Sequence, residues 1–264
     1  MAATTPATPW LDGLRFAFGT LTVFPVKVTR WDRDAARGGM LSAPLAGLAV
    51  GLCAGAAGAL LLLTGASAFV AAVAAVAVPA VLTRGLHLDG LADTADGLGS
   101  GKPAEDALRI MKQSDIGPFG VITLVFVLLA QVAALAQAYG DGWRRGVLAA
   151  VVAAVVARLA LTLAAVDGVP AARPEGLGAA VAGVVPKVGA SVVTIAVMVA
   201  AAGAGALVGS DYSLQALLAV VGAEMVTDGL LRHCRRRFGG VTGDVFGALA
   251  ETAATTALVV LCLW

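Results

Sequence analysis

Residues 84–101 read RGLHLDGLADTADGLGSG, and they set three aspartates into a chain otherwise built for lipid. At 100° per residue on a helix, Asp89, Asp93 and Asp96 fall within about 60° of one another, while Leu88, Leu91, Ala95 and Leu98 take the other sides. Three carboxylates on one face repel and raise each other's pKa, which makes physical sense chiefly if a cation sits among them. All-oxygen ligation suits Mg²⁺ or Ca²⁺, and Mg²⁺ commonly combines a few carboxylates with the oxygens of a phosphorylated substrate. A generic DxxxDxxD is as readily a solvated helix face after a membrane span, so its surroundings decide.

Those surroundings are apolar. The 264 residues are 59% hydrophobic and 13% charged, with a mean hydropathy of +0.90, far outside the range of soluble domains. The composition predicts an all-α fold, a polytopic helical membrane protein forming a single integral membrane domain over residues 1–264. A formal charge of +1, with dispersed Lys and Arg, excludes a nucleic-acid-binding stripe. No basic, cleavable apolar leader opens the chain, and residues 1–9 read as disordered. Cys53, Cys234 and Cys262 lack CxxC spacing, which argues against disulfides, zinc and iron–sulfur clusters.

Outward from the acidic stretch, seven apolar segments are expected to span: about 43–64, 66–83, 117–138, 147–166, 188–208, 213–231 and 245–264. Residues 10–27 are too short and hold Asp12 and Arg15, so they predict an interfacial or re-entrant helix. Residues 84–116 form a solvent-side loop, with a short amphipathic helix expected over 103–115. Lys and Arg number five before the first span, four in the acidic-motif loop, two in 167–187 and four in 232–237, against Arg144 and Arg145 opposite. The positive-inside rule puts all the motif loops in the cytoplasm of a cell-membrane protein. Ala and Gly crowd every span, favouring close helix packing.

A second acidic element, GGVTGDVFGALAE at 239–251, sets Asp244 and Glu251 seven residues apart on one helix face. A carboxylate at lipid depth costs several kcal/mol unless paired or metal-bound. Gly239, Gly240 and Gly243 ahead of a helix start could leave N–H groups for a phosphate, and Thr242 or Asp244 could equally cap that helix. Glu224 and Asp228 either line the same cavity or pair with Arg232. Arg158, buried by position, needs an anion: a carboxylate from another helix or a substrate phosphate. Residues 110–120, IMKQSDIGPFG, join Lys112 and Ser114 to a glycine-proline break, consistent with anion binding. His87 lies off the aspartate face, so it is not expected to be a base, and it is kept as a candidate substrate contact.

Taken together, RGLHLDGLADTADGL, IMKQSDIGPFGV, ARPEGLG at 172–178 and GGVTGDVFGA at 239–248 resemble the cobalamin synthase family in order and spacing, as do FGTLTVFPV and PLAGLAVG. The likeness covers nearly the whole chain. It departs at Gln113 and Asp115, where the family more often has Asp and Arg, while Lys112, Ser114 and Gly117 are kept. The resemblance implies a transferase. A ribose hydroxyl of α-ribazole or its 5′-phosphate attacks the phosphorus next to the cobinamide arm of adenosylcobinamide-GDP, and GMP leaves. It implies Mg²⁺ held by Asp89, Asp93, Asp96 and Asp244, and a proton taken by Asp96 or Asp93. Lys112, Arg173 and Arg158 would then hold phosphate or guanosine groups, with Ser114, Gly240, Thr242 and His87 as further contacts.

Two rivals are weaker. CDP-alcohol phosphatidyltransferases also open their motif with Asp-Gly-x-x-Ala, but the Arg expected next is Asp93 here and the later aspartate spacing is missing. A cation-coupled transporter predicts acids near mid-membrane in several spans, whereas these cluster at one face.

Overall fold

The computed structural model describes residues 9–263, so the expectation for residues 1–9 lies outside them except at Pro9, which opens the first helix. Among the described residues the regular elements are helices: α1 (Pro9–Leu21), α2 (Arg33–Leu63), α3 (Ala68–Leu82), α4 (Leu86–Gly99), α5 (Ala104–Ile110), α6 (Pro118–Gly140), α7 (Trp143–Ala164), α8 (Leu177–Val181), α9 (Lys187–Val208), α10 (Ser210–Phe238) and α11 (Gly243–Val260). Six of these, α2, α6, α7, α9, α10 and α11, are long and apolar enough to cross a membrane. The protein is therefore a multi-pass helical membrane protein. The bent pair of α3 and α4, taken as one broken crossing, brings the count up to the expected seven.

Several boundaries differ from the sequence expectation, each for a local reason. α2 starts ten residues before position 43 because Asp32 caps it, accepting from the N–H groups of Asp34 (3.1 Å) and Ala35 (3.0 Å). α10 continues past position 231 through the arginines and stops where Gly239 turns left-handed at φ 80°. The amphipathic helix over 103–115 shrinks to the seven residues of α5, and residues 167–187 fold a short helix of their own, α8.

Close approach of small residues holds the spans together. Gly47, Gly51 and Gly55 line the face of α2 that meets α7; a Cβ at Gly51 would lie 2.8 Å from Val151 Cα, and one at Gly55 3.2 Å from Val147 Cα. α7 is the central helix, and it is buried along most of its length. Phe126 and Leu129 on α6, and Ile195 and Leu207 on α9, face outward, as lipid-facing side chains do. α1 is too short to cross. Buried Asp12 holds it to residues 29–30, accepting from Thr29 Oγ1 at 3.5 Å and Arg30 Nη1 at 3.4 Å.

The turn that matters most for function lies between α3 and α4. Arg84 (φ 56°) and Gly85 (φ 70°) are consecutive left-handed residues, and the two helix axes meet at 88°. For a non-glycine residue that conformation costs about 1–2 kcal/mol. The turn swings α4 away from the direction of α3 and across the starts of α6 and α11, which Asp96 and Gly90 contact.

Candidate active site

α4 and α11 meet backbone to backbone. A Cβ at Gly90 would lie 2.6 Å from the carbonyl oxygen of Asp244, and one at Gly247 would lie 2.9 Å from that of His87. Only glycine at both positions permits this approach, and it brings Asp244 beside Asp89 and Asp93 from a segment 150 residues away. Thr242 caps α11: its Oγ1 accepts from Val245 N–H (3.3 Å) and donates to Asp244 Oδ2 (3.1 Å). Arg173 Nη1 lies 3.7 Å from the same Asp244 oxygen, and Arg173 also donates to the Leu108 carbonyl. The strand-like pairing of Ala172 N–H with Val241 O and of Val241 N–H with Pro170 O, both 2.9 Å, fixes the Arg173 loop against the start of α11.

Two recesses adjoin these carboxylates. The smaller, about 280 Å³, has Asp89, Arg173, Thr242 and Asp244 on its polar wall and Leu21, Met40, Leu161 and Phe246 on its apolar floor, with His87 also lining it. The larger, an open cleft of about 850 Å³, is lined by Arg84, Asp89, Asp93, Lys112, Gln113 and Ser114. Asp89 borders both. Lys112 Nζ donates to Glu175 Oε1 at 2.7 Å, tying the rim of the cleft to the rim of the cavity.

The electrostatics follow from this crowding. Burial, then the charges of Asp244, Asp89 and Asp96, push the Asp93 carboxyl up to about 7, with Arg173 pulling the other way. Burial, then the charge of Arg158, holds the His87 imidazole well below its ordinary value, so it is neutral near pH 7.

Other expected site residues have different surroundings. Asp96 is buried, and both its oxygens are taken by the start of α6: Gly117 N–H donates to Oδ2 at 2.7 Å and Gly120 N–H to Oδ1 at 2.9 Å. These bonds tie α4 to the start of α6 and leave each carboxylate oxygen a further lone pair, beside the metal-ligand and proton-acceptor roles expected of Asp96. Arg158 lines a separate pocket of about 50 Å³ with Gln131 and Glu251, apart from the two recesses, and its Nε and Nη2 have no hydrogen-bond partner there. Gly240 packs against the 170–172 backbone and lines neither recess. Asp228 pairs with Arg232 at 2.7 Å. The apolar floor was not foreseen: Leu21, Met40, Leu161 and Phe246 look like ordinary packing residues in sequence. Glu175 has a signal only in hindsight, as the acid beside Arg173.

Among the described residues, no three His, Cys, Asp or Glu side chains stand where they could hold a metal ion together. The crowding around Asp93 is nonetheless what a cation would relieve. Oxygen donors of this kind suit a hard divalent ion, with Asp89, Asp93 and Asp244 as the carboxylates at hand and no all-protein cage among the described residues.

Comparison with known proteins agrees over nearly the full length. The family model described as Cobalamin-5-phosphate synthase, CobS, matches residues 13–262. An adenosylcobinamide-GDP ribazoletransferase of Frankia casuarinae is 44% identical over 262 residues, covering 94% of each chain. Proteins of the same name from a Nocardioides species and a Roseiflexus species are 40% and 38% identical, covering 94% and 98% of this chain and 96% and 90% of theirs. No solved structure is significantly similar.

Proposed function

The chain belongs to the cobalamin-5-phosphate synthase family and catalyses the transfer that closes the cobalamin nucleotide loop; we propose that it does so where α4 meets α11, at the cytoplasmic face of the cell membrane. The observation that carries this placement is the convergence of Asp89, Asp93 and Asp244, from two distant segments, on recesses that also hold Arg173 and Lys112. Acids and bases side by side suit a pyrophosphate, whose oxygens take up the cations while the carboxylates handle metal and proton. The count of Lys and Arg by loop supports the cytoplasmic side.

In this reading a ribose hydroxyl of α-ribazole, or of its 5′-phosphate, attacks the phosphorus next to the cobinamide arm of adenosylcobinamide-GDP. The new P–O bond forms as the pyrophosphate P–O bond breaks, and GMP departs with the bridging oxygen. Asp93 takes the hydroxyl proton, being the carboxylate on the cleft that stands beside Asp89 and Asp244 without being assigned to the metal. Asp89 and Asp244 would hold Mg²⁺, which when bound offsets the charge building on the pyrophosphate oxygens. Arg173 and Lys112 fix the phosphates from opposite rims. Asp96 positions the site: it anchors α6 to α4 and keeps the aspartate helix in place.

Purified protein in detergent, given adenosylcobinamide-GDP, α-ribazole and Mg²⁺, is expected to release GMP. CDP-diacylglycerol with an alcohol acceptor serves as the matched control and should yield no CMP. Release of CMP without GMP would overturn the reading. Full activity with excess EDTA would remove the metal from it.

A further inference from the structure

We propose that the apolar groove between α2, α7 and α9 holds one acyl chain of an anionic phospholipid, whose phosphate sits against Arg33 and Arg37. This site is apart from the carboxylates, and its assignment does not depend on the transferase reading. The groove has a volume of about 420 Å³ and is walled by Leu41, Leu45 and Leu48 of α2, Val155 of α7, and α9 from Val193 to Ala204. Over that stretch α9 rises about 16 Å, close to the ~15 Å depth of hydrocarbon in one leaflet. Such a volume over such a length is a channel a few ångström wide. One extended chain fits it, whereas a helix with its side chains is about 10–12 Å across. The hydrocarbon layer holds no water, so a chain lying in the groove supplies contacts that its walls would otherwise lack.

Charge selects the headgroup. On a helical wheel Arg37 falls within the face of α2 made by Leu41, Pro44, Leu45 and Leu48, and Arg33 falls at its edge. Both guanidiniums reach from α2 to the segment that leads into α9: Arg33 Nη2 donates to the Ala182 carbonyl at 3.3 Å, and Arg37 Nε to that of Val184 at 3.2 Å. They therefore cross the mouth of the groove. Leu41 meets α9 at the same end, where a Cβ at Gly189 would lie 3.1 Å from Leu41 Cδ2. Asp34 shares Arg37, 3.3 Å from its Nη1, while Arg33 has no ion pair among the described residues. The next charges along, Lys187 and Asp167, line a neighbouring recess together and offset each other. The mouth thus keeps an excess of positive charge, with N–H groups left over for a phosphate. Arginine stems suit this level, where the apolar layer ends. A zwitterionic lipid brings its own cation to the same place and loses the advantage.

The test is lipid retention by the full chain purified in detergent, read by native mass spectrometry after incubation with equal amounts of phosphatidylglycerol and phosphatidylcholine of one chain length. The parent is expected to keep phosphatidylglycerol about tenfold over phosphatidylcholine, and Arg33→Gln with Arg37→Gln should bring that ratio within about twofold of unity. Ala200→Phe projects a ring into the groove from an exposed position on α9, and it should cut retention of both lipids about tenfold. The arginine arm stands by itself if Ala200→Phe does not fold. Equal retention of the two lipids by the parent would overturn the proposal, as would a preference that survives the double arginine change. Unchanged retention in folded Ala200→Phe would put the chain outside the groove and overturn it too. A parent dimer that Ala200→Phe separates, with lipid retention unaltered, would give the groove to a second copy instead.

Discussion

Two groups of ionisable side chains share α11, one where it meets α4 and the other where it meets α7, and they have different surroundings. At one end of the bundle Asp244 joins Asp89, Asp93 and Arg173 beside two recesses open to ligand. Two turns further along α11, Glu251 faces Arg158 of α7 across a pocket of about 50 Å³, accepting from Gln131 Nε2 at 2.9 Å, while Gln131 also donates to Thr255 at 3.0 Å. The first group holds unbalanced negative charge where solvent, metal or phosphate can reach it. The second sets one cation and one anion around a small buried pocket, with Arg158 Nε and Nη2 left without hydrogen-bond partners. Charge beside an open recess can meet a ligand, whereas opposite charges enclosed between helices act chiefly on each other.

The sharpest way to break this contrast is to remove a carboxylate from each group. Asp93→Asn should lower kcat for GMP release by about 10³-fold or more, as loss of a general base does, with the thermal unfolding of the detergent-purified protein little changed. Glu251→Ala should do the reverse. It leaves Arg158 buried without its counter-charge, which costs about 3–5 kcal/mol in stability, seen as a lowered Tm with residual activity in the folded fraction. Replacing Arg158 and Glu251 together with Met should restore much of that loss. If Glu251→Ala instead abolished turnover at unchanged Tm, the second group would belong to the active site.

A pH series sharpens the first group alone. In protein free of divalent ions, the Asp93 carboxyl, pushed up to about 7, should take up a proton as pH falls through that value, read from its infrared carboxyl band, and added Mg²⁺ should move the midpoint down. The shift also bears on stability. A carboxyl raised above its unfolded value stabilises the fold while protonated, so that contribution is lost as pH rises from the ordinary aspartate range toward 7. The smallest effect is expected at Asp96. Asp96→Ala removes the acceptor for two N–H groups of α6 and should cost about 1–2 kcal/mol, read by thermal unfolding. Asp96→Asn should keep transfer within roughly tenfold of the parent. Loss of turnover in both Asp96 variants at unchanged Tm would return that residue to the reacting groups.

Much of this architecture was legible beforehand. Hydropathy alone marks the spans, because lipid leaves a helix no choice but to be apolar over its length, and the pairing of Asp228 with Arg232 is an i, i+4 contact that spacing predicts. The family likeness was also readable from local strings such as HLDGLADTADGL. Less legible were the roles of individual carboxylates. On a helical wheel Asp89, Asp93 and Asp96 share a face, yet Asp96 also accepts from the N–H groups of Gly117 and Gly120, contacts from another helix that no wheel displays.

The amino-acid sequence by itself determined that this chain is a multi-pass helical membrane protein and which family its short strings belong to, since hydropathy and helical period are local properties. Only the tertiary structure decided which acids share a site. That depended on the left-handed turn at Arg84 and Gly85, and on the bare backbones of Gly90 and Gly247 letting α4 lie against α11. Distance between side chains is a property of packed helices, and packing is settled by shapes that meet from far apart in the chain.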